Sequence, residues 1–283
     1  MRNTRIALGL SYNGRDFAGW QSQPGGNTVQ DRLEHALSLI ADAPVRVAAA
    51  GRTDAGVHAL AQVVHFDTGA QREEQAWVRG GNANLPGSIA VQWARRVPDD
   101  FHARFSAQSR SYRYVLHDHP VRPSIHDGLV GWFHQPLDVP AMQFAAQSLI
   151  GEHDFSAFRA AECQARTPVR VLESLTVQRH AGHVVFGLTA NAFLHHMVRN
   201  IVGCLVYVGC GRQPPQWLAE VLASRQRRMA APTFAASGLY LSAVRYDPQL
   251  QLPGACSLTL PVLPALLTPE GESDPFSKQD LHA

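Results

Sequence analysis

The chain has 283 residues, enough for one large domain or two ordinary ones with a sizeable core. Hydrophobic residues make up 45% of it, as in a soluble globular protein, and a formal net charge of +2 excludes action through a strong overall basic field. Cys163, Cys204, Cys210 and Cys256 show no CxxC spacing, and no apolar run is long enough to span a bilayer, so a zinc framework, a disulfide scaffold and a membrane protein are all set aside.

The remaining first-order reading is of a cytoplasmic protein with reduced thiols, since the basic start MRNTRIALGLSYNG has too short an apolar run for a signal peptide. Lys278 is the single lysine, so nearly every cation is an arginine. Arginine pairs bidentately with phosphates and stacks on bases, which lysine does poorly.

Alternating Ile6, Leu8, Leu10 and Tyr12 predict a strand over Arg5–Tyr12. Asn13–Asn27 is polar and Gly-rich, a loop. Thr28 then caps a helix whose apolar positions are Val29, Leu33, Ala36, Leu37 and Ile40, and Pro44 breaks it. Val45–Ala50 and Gln62–Phe66 read as strands flanking a polar loop. Glu73–Asn82 reads as a second helix and Ile89–Val97 as a further strand. Pro98-Asp99-Asp100 marks a boundary, dividing an N-terminal α+β domain, 1–103, from a second one, 104–247.

In the second unit Ser111–Leu116 alternates, with Tyr112, Tyr114 and Leu116 on one face. Asp138 caps a helix with Pro140 in its first turn that ends at Gly151. Leu172–Arg179 and His183–Ala190 form a hairpin around His180-Ala181-Gly182. Phe193–Val208 is an apolar-faced helix, Gln216–Ser224 a short one, and Leu239–Tyr246 a last strand. The fold class is therefore α+β: two similar domains, each a mainly antiparallel sheet with helices packed on it. Residues 248–283 are Pro-rich without period and read as a poorly ordered tail.

Three stretches carry more polar chemistry than structure needs. The loop AAAGRTDAGVHA (Ala48–Ala59) puts Arg52, Asp54 and His58 between Gly51 and Gly56, which read as hinges. Asp54 is either a turn residue or a carboxylate nucleophile or base at the mouth of a sheet. His58 is a third polar partner or faces solvent. On the strand through Tyr112, Arg110 and Arg113 flank the aromatic; they are solvated arginines, or phosphate ligands beside a base-stacking ring. In NAFLHHMVRNIVG (Asn191–Gly203), His195 and His196 point about 100° apart if helical, and no carboxylate lies nearby at zinc-like spacing, so no metal site is expected. Arg199 sits within an apolar helix face, and a buried cation needs a partner, for which Asp54 is a candidate.

Together the segments YNGRDFAGWQSQP, TVQDRLEHAL, GRTDAGVHA, FHARFSAQSRSYRYVL, IGEHDFSAFR, NAFLHHMVRNIVG and GLYLSAVRY resemble, in order and from Ile6 to Tyr246, the TruA-type tRNA pseudouridine synthases. The resemblance implies two α+β domains sharing a central cleft, and isomerisation of uridine to pseudouridine at positions 38, 39 and 40 of the tRNA anticodon stem-loop. It implies a homodimer and no cofactor or catalytic metal. Asp54 matches the family's catalytic aspartate, Arg52 the arginine that helps extrude the target base, Tyr112 the tyrosine packed on the base, and Arg199 the arginine that pairs with the aspartate. Arg15, Arg104, Arg110, Arg113, Arg166 and His58 are further candidates for RNA contacts. Ser88 departs from the acid common in the family's LP-D-I-V segment, and the tail has no counterpart. The residues alone leave two other classes open: an RNA-binding protein that has no need of Asp54, and a nucleoside or sugar hydrolase, which would typically use a second carboxylate.

Overall fold

The computed structural model describes residues 3–253. The tail expected from 248 onward lies, beyond Pro253, outside the described residues. In chain order the elements are β1 (Thr4–Tyr12), α1 (Val29–Ala41), β2 (Ala48–Ala49), β3 (His58–Thr68), α2 (Glu74–Asn84), β4 (Ile89–Val97), β5 (Ser109–Asp118), β6 (Gly131–Phe133), α3 (Val139–Ala146), β7 (Gly151–Asp154), β8 (Val169–His180), β9 (His183–Ala190), α4 (Met197–Gly209), α5 (Trp217–Ser224) and β10 (Leu239–Arg245). The α+β class holds. The strands form one sheet in the order β4-β1-β3-β10-β5-β9-β8-β7, with β2 added on β3 and β6 on β5. Every pairing is antiparallel except β3 with β10 and β5 with β6.

The last of the described strands, β10, lies in the middle of the sheet. Tyr240 and Leu241 of β10 pair with His58 and Ala59 at the start of β3, while on the other edge Leu241 pairs with Tyr112 of β5. This register sets the loop that precedes β3 at the same level as Tyr112. Helices supply the apolar cover. Thr28 caps α1 through its hydroxyl, which accepts from the Asp31 N–H, and Asp138 caps α3 through the Ala141 N–H. Leu33, Leu37, Trp77, Leu149, Met197, Ile201 and Leu205 are all buried against the sheet or each other.

Several expected boundaries move, for identifiable reasons. β3 runs four residues earlier than Gln62 and two later than Phe66, because most of it is buried on both faces and carries no alternation to read. The strand expected over Val45–Ala50 shrinks to Ala48–Ala49. The helix capped by Asp138 ends at Ala146, followed by a 3-10 turn over Gln147–Leu149; the residues after it become β7, an edge strand too short to announce itself. The helix expected from Phe193 begins at Met197, because His196 adopts a left-handed conformation, φ 62°, that no helix can include. That shift puts His195 and His196 at the mouth of α4 rather than along its face.

His58, a candidate RNA contact, is instead 1% exposed and braces the sheet. Its Nδ1 accepts from the Gly14 N–H at 3.0 Å, its Nε2 donates to the Gly128 carbonyl at 3.0 Å, and its ring stacks on Tyr240. Both nitrogens are therefore committed in the neutral tautomer, and burial pushes the pKa down to about 4. Between pH 6.5 and 4 the unfolded chain takes up a proton that the folded chain refuses. Stability from this group is thus complete above 6.5 and falls, by about 3 kcal/mol in all, as pH drops toward 4. Melting temperature is expected to fall across that window, and His58→Gln to flatten the slope by close to one proton. An unchanged slope in the variant would remove His58 as the source.

Candidate active site

Beneath the polar loop, a set of buried groups holds its backbone. Gln62 on β3 grips Gly51 twice: its Nε2 donates to the Gly51 carbonyl at 2.6 Å and its Oε1 accepts the Gly51 N–H at 3.4 Å. Thr53 shares a hydroxyl hydrogen bond with buried Tyr12 at 2.8 Å, and its carbonyl accepts the Trp20 N–H at 2.9 Å. Burial pushes the Tyr12 hydroxyl up to about 12, so it remains a phenol that bonds Thr53. The Asp54 carbonyl then closes a turn onto the Val57 N–H, with Gly56 at φ 77°. Gly19, at φ 95°, lies so close that an added Cβ would meet the Thr53 carbonyl at 2.9 Å. Gly51, expected to be a hinge, has no left-handed φ, and the space above it is open up to the Tyr112 hydroxyl.

Held in this way, Asp54 meets α4. Arg199 Nη1 donates to Asp54 Oδ2 at 2.9 Å, the pairing anticipated from a cation on an apolar helix face. Arg199 is itself aimed by its Nε, which donates to the Phe234 carbonyl at 2.8 Å. Two partners were not anticipated: His195 Nε2 lies 3.2 Å from Asp54 Oδ1 and His196 Nε2 lies 3.3 Å from Oδ2. Burial holds His196 below the usual imidazole range, against the pull of Asp54. The only signal for these two in sequence was the His-His pair; what it lacked was the turn before α4 that brings them to the acid.

The acid lies on a cleft of about 1140 Å³ lined by Arg52, Asp54, Arg104, Phe105, Tyr112, Phe193, His195, His196 and Arg199, among others. Tyr112 is buried, edge-on to Phe193 at 5.0 Å between centroids, and burial raises its hydroxyl pKa. Arg52 is exposed and makes no hydrogen bond or ion pair among the described residues, so its charge is available to a ligand. Arg104 is exposed on the same wall, its guanidinium over the Phe105 ring.

The other arginines divide. Arg110 does not offer itself to solvent: its guanidinium is buried and donates to the carbonyls of Ala50, Arg104, Ala107 and Asn191. It ties the strand end before the catalytic-type loop to the segments that flank it. Arg110→Met would orphan those carbonyls and is expected to cost about 3 kcal/mol of stability, read from the urea midpoint. A loss below about 0.5 kcal/mol, the level of an ordinary surface change, would reduce this brace to incidental contact. Arg15 is paired with Asp127 at 2.8 Å away from the cleft, and exposed Arg113 and Arg166 are not among its lining residues.

Against known proteins, a family model described as tRNA pseudouridine synthase matches residues 10–106 and 145–247. A protein named tRNA pseudouridine synthase A from Paraburkholderia xenovorans is 57% identical over 257 residues, 91% of this chain and 95% of that one. Proteins of the same name from Burkholderia cenocepacia and Thiobacillus denitrificans are 59% and 58% identical, over 89% and 88% of this chain and 93% and 96% of theirs. Among solved structures, an H/ACA ribonucleoprotein bound to a substrate RNA containing 2′-deoxyuridine shares 13% identity at a TM-score of 0.33, covering 71% of this chain and 44% of that one, too distant to argue from.

Proposed function

This chain belongs to the tRNA pseudouridine synthase family, and from that premise we propose that its cleft isomerises uridines 38, 39 and 40 in the tRNA anticodon stem-loop. The protein is an isomerase that makes pseudouridine in tRNA. The observation that supports Asp54 as the reacting group is a single one. At the wall of an open cleft, one carboxylate is oriented by an arginine and two imidazoles, beside a second arginine with no partner among the described residues.

The reaction breaks the bond from C1′ to N1, turns the uracil, joins C1′ to C5, and moves a proton from C5 while N1 gains one. Atoms balance without an outside reagent. Asp54 is the group against the sugar. Its carboxylate attacks C1′, or it takes the C2′ proton to open a glycal route. Arg199, His195 and His196 hold the carboxylate in one orientation for either step. Tyr112 packs against the extruded uracil. Because burial keeps its hydroxyl protonated, it relays the C5 proton only by giving one up as it takes one.

A uridine stacked in a stem must leave the stack first, at a cost of a few kcal/mol. Arg52 enters the space the base leaves or holds the displaced phosphate, and Arg104 binds backbone at the rim. Arg15, Arg113 and Arg166 reach only RNA that extends beyond the cleft. Recognition by shape and phosphate suits an enzyme that acts on several neighbouring positions. We read the enzyme as cytoplasmic and as a homodimer whose two copies share one tRNA; sedimentation with and without tRNA checks the assembly.

The site claim is tested by mapping pseudouridine in tRNA transcripts carrying uridine at 38, 39 or 40. Modification is expected at each of the three and nowhere else in the stem-loop. Modification confined to another arm of the tRNA would refute the assignment.

A further inference from the structure

Asp54, His195 and His196 each aim a donor atom into the same small volume, and all three atoms lie within 4.8 Å of one another. One of the three edges is already near that of a metal site. Bonds of about 2.0–2.1 Å at tetrahedral angles set ligand atoms about 3.3–3.4 Å apart. The structure has 3.2 Å between Asp54 Oδ1 and His195 Nε2, while His196 Nε2 lies 3.3 Å from the other oxygen, Oδ2, and within 4.8 Å of the shared ligand set. The imidazole rings lie against each other, 4.0 Å between centroids and 37° between planes, so both Nε2 atoms reach the same carboxylate.

We propose that Asp54, His195 and His196 form a capture site for a zinc-like divalent ion, whose fourth position faces the open cleft, and that the bound ion blocks isomerisation. Two imidazoles and a carboxylate suit Zn²⁺, Co²⁺ or Cu²⁺ and reject Mg²⁺, the ion that accompanies tRNA, which demands oxygen ligands. Arg199 does not oppose capture from the inner shell. It hydrogen-bonds Oδ2 from the protein side, as the outer partner of a ligating carboxylate does, leaving Oδ1 for the ion. The left-handed turn at His196 has a role here: it holds both imidazoles at the mouth of α4, where a helical run would splay them about 100° apart. The blocking clause rests on Asp54 being the reacting carboxylate, since an ion on that group prevents it from meeting the sugar.

The test uses the full chain stripped with EDTA, with Co²⁺ as the probe and Mg²⁺ kept present. One equivalent of Co²⁺ is expected to bind with the strong visible bands of a four-coordinate ion. His195→Ala, and His196→Asn, which tolerates the left-handed backbone, are each expected to lose those bands and to bind more weakly than the roughly 10- to 100-fold loss seen when only an outer partner is removed. Zn²⁺ is expected to stop tritium release from C5-labelled tRNA in competition with the RNA, and EDTA to restore it. Absent bands, or bands unchanged in both variants whose melts show them folded, would overturn the site. Inactive Asp54→Asn beside absent bands would overturn the site alone. Bound metal at this site with undiminished tritium release would overturn both the blocking and the catalytic reading of Asp54.

Discussion

Asp54→Asn is expected to abolish pseudouridine formation, with tritium release from C5-labelled tRNA falling by on the order of 10⁴-fold or more, while the fold and tRNA binding survive. The substitution is nearly isosteric. An amide oxygen still accepts from Arg199 Nη1, now at 2.9 Å from Oδ2, and the loop remains held from below by Gln62, Tyr12 and Trp20 through groups the change does not touch. Arg52 and Arg104 still present their charge to phosphate. What is lost is the chemistry: a neutral amide neither attacks C1′ nor accepts the C2′ proton. The sharpest outcome is therefore a split between near-normal tRNA affinity and no turnover. Turnover near the wild-type rate would strip Asp54 of its role and turn attention to Glu162, the other acid on the cleft wall. Loss of binding together with turnover would mean that the carboxylate organises the cleft rather than reacting in it.

Asp54 could be suspected from sequence because of where it stands: a charged tripeptide between glycines, bounded by apolar strands, has too much polarity for a turn. The partner of Arg199 could also be anticipated, because a cation on a buried helix face has to be answered. The same reasoning failed for His58 and Arg110, and for one reason. Each lies in a polar motif, and a motif does not tell which of its polar groups turn outward; His58 and Arg110 spend their donors on the protein's own backbone. His195 and His196 were invisible as partners of Asp54 because their placement depends on one left-handed residue, and apolar periodicity through Phe193 and Met197 hides it. The central position of β10 was likewise out of reach: nothing in that strand's own residues says that it will slot between β3 and β5, far earlier in the chain.

Arg52→Ala is expected to slow isomerisation of a stem-embedded uridine by about 10²- to 10³-fold, the rate equivalent of the few kcal/mol needed to unstack and unpair a base. Arg52 has no hydrogen-bonding or ion-pairing role among the described residues. Arg199, Arg110 and Arg15 are each held by an acid or by carbonyls, whereas Arg52 sits exposed two residues before Asp54 with its guanidinium uncommitted among the described residues. Removing it should leave stability unchanged and leave Asp54 with all three of its partners. The deficit should then depend on the RNA. If Arg52 fills the vacated stack or holds the displaced phosphate, a substrate whose target is mismatched, and so already half out of the helix, regains most of the lost rate. Arg52→Lys should restore little, because an ammonium neither stacks nor grips phosphate with two donors. An equal deficit on paired and mismatched substrates would place Arg52 in the chemical step or in general phosphate binding, and a salt titration of tRNA affinity would tell those two apart.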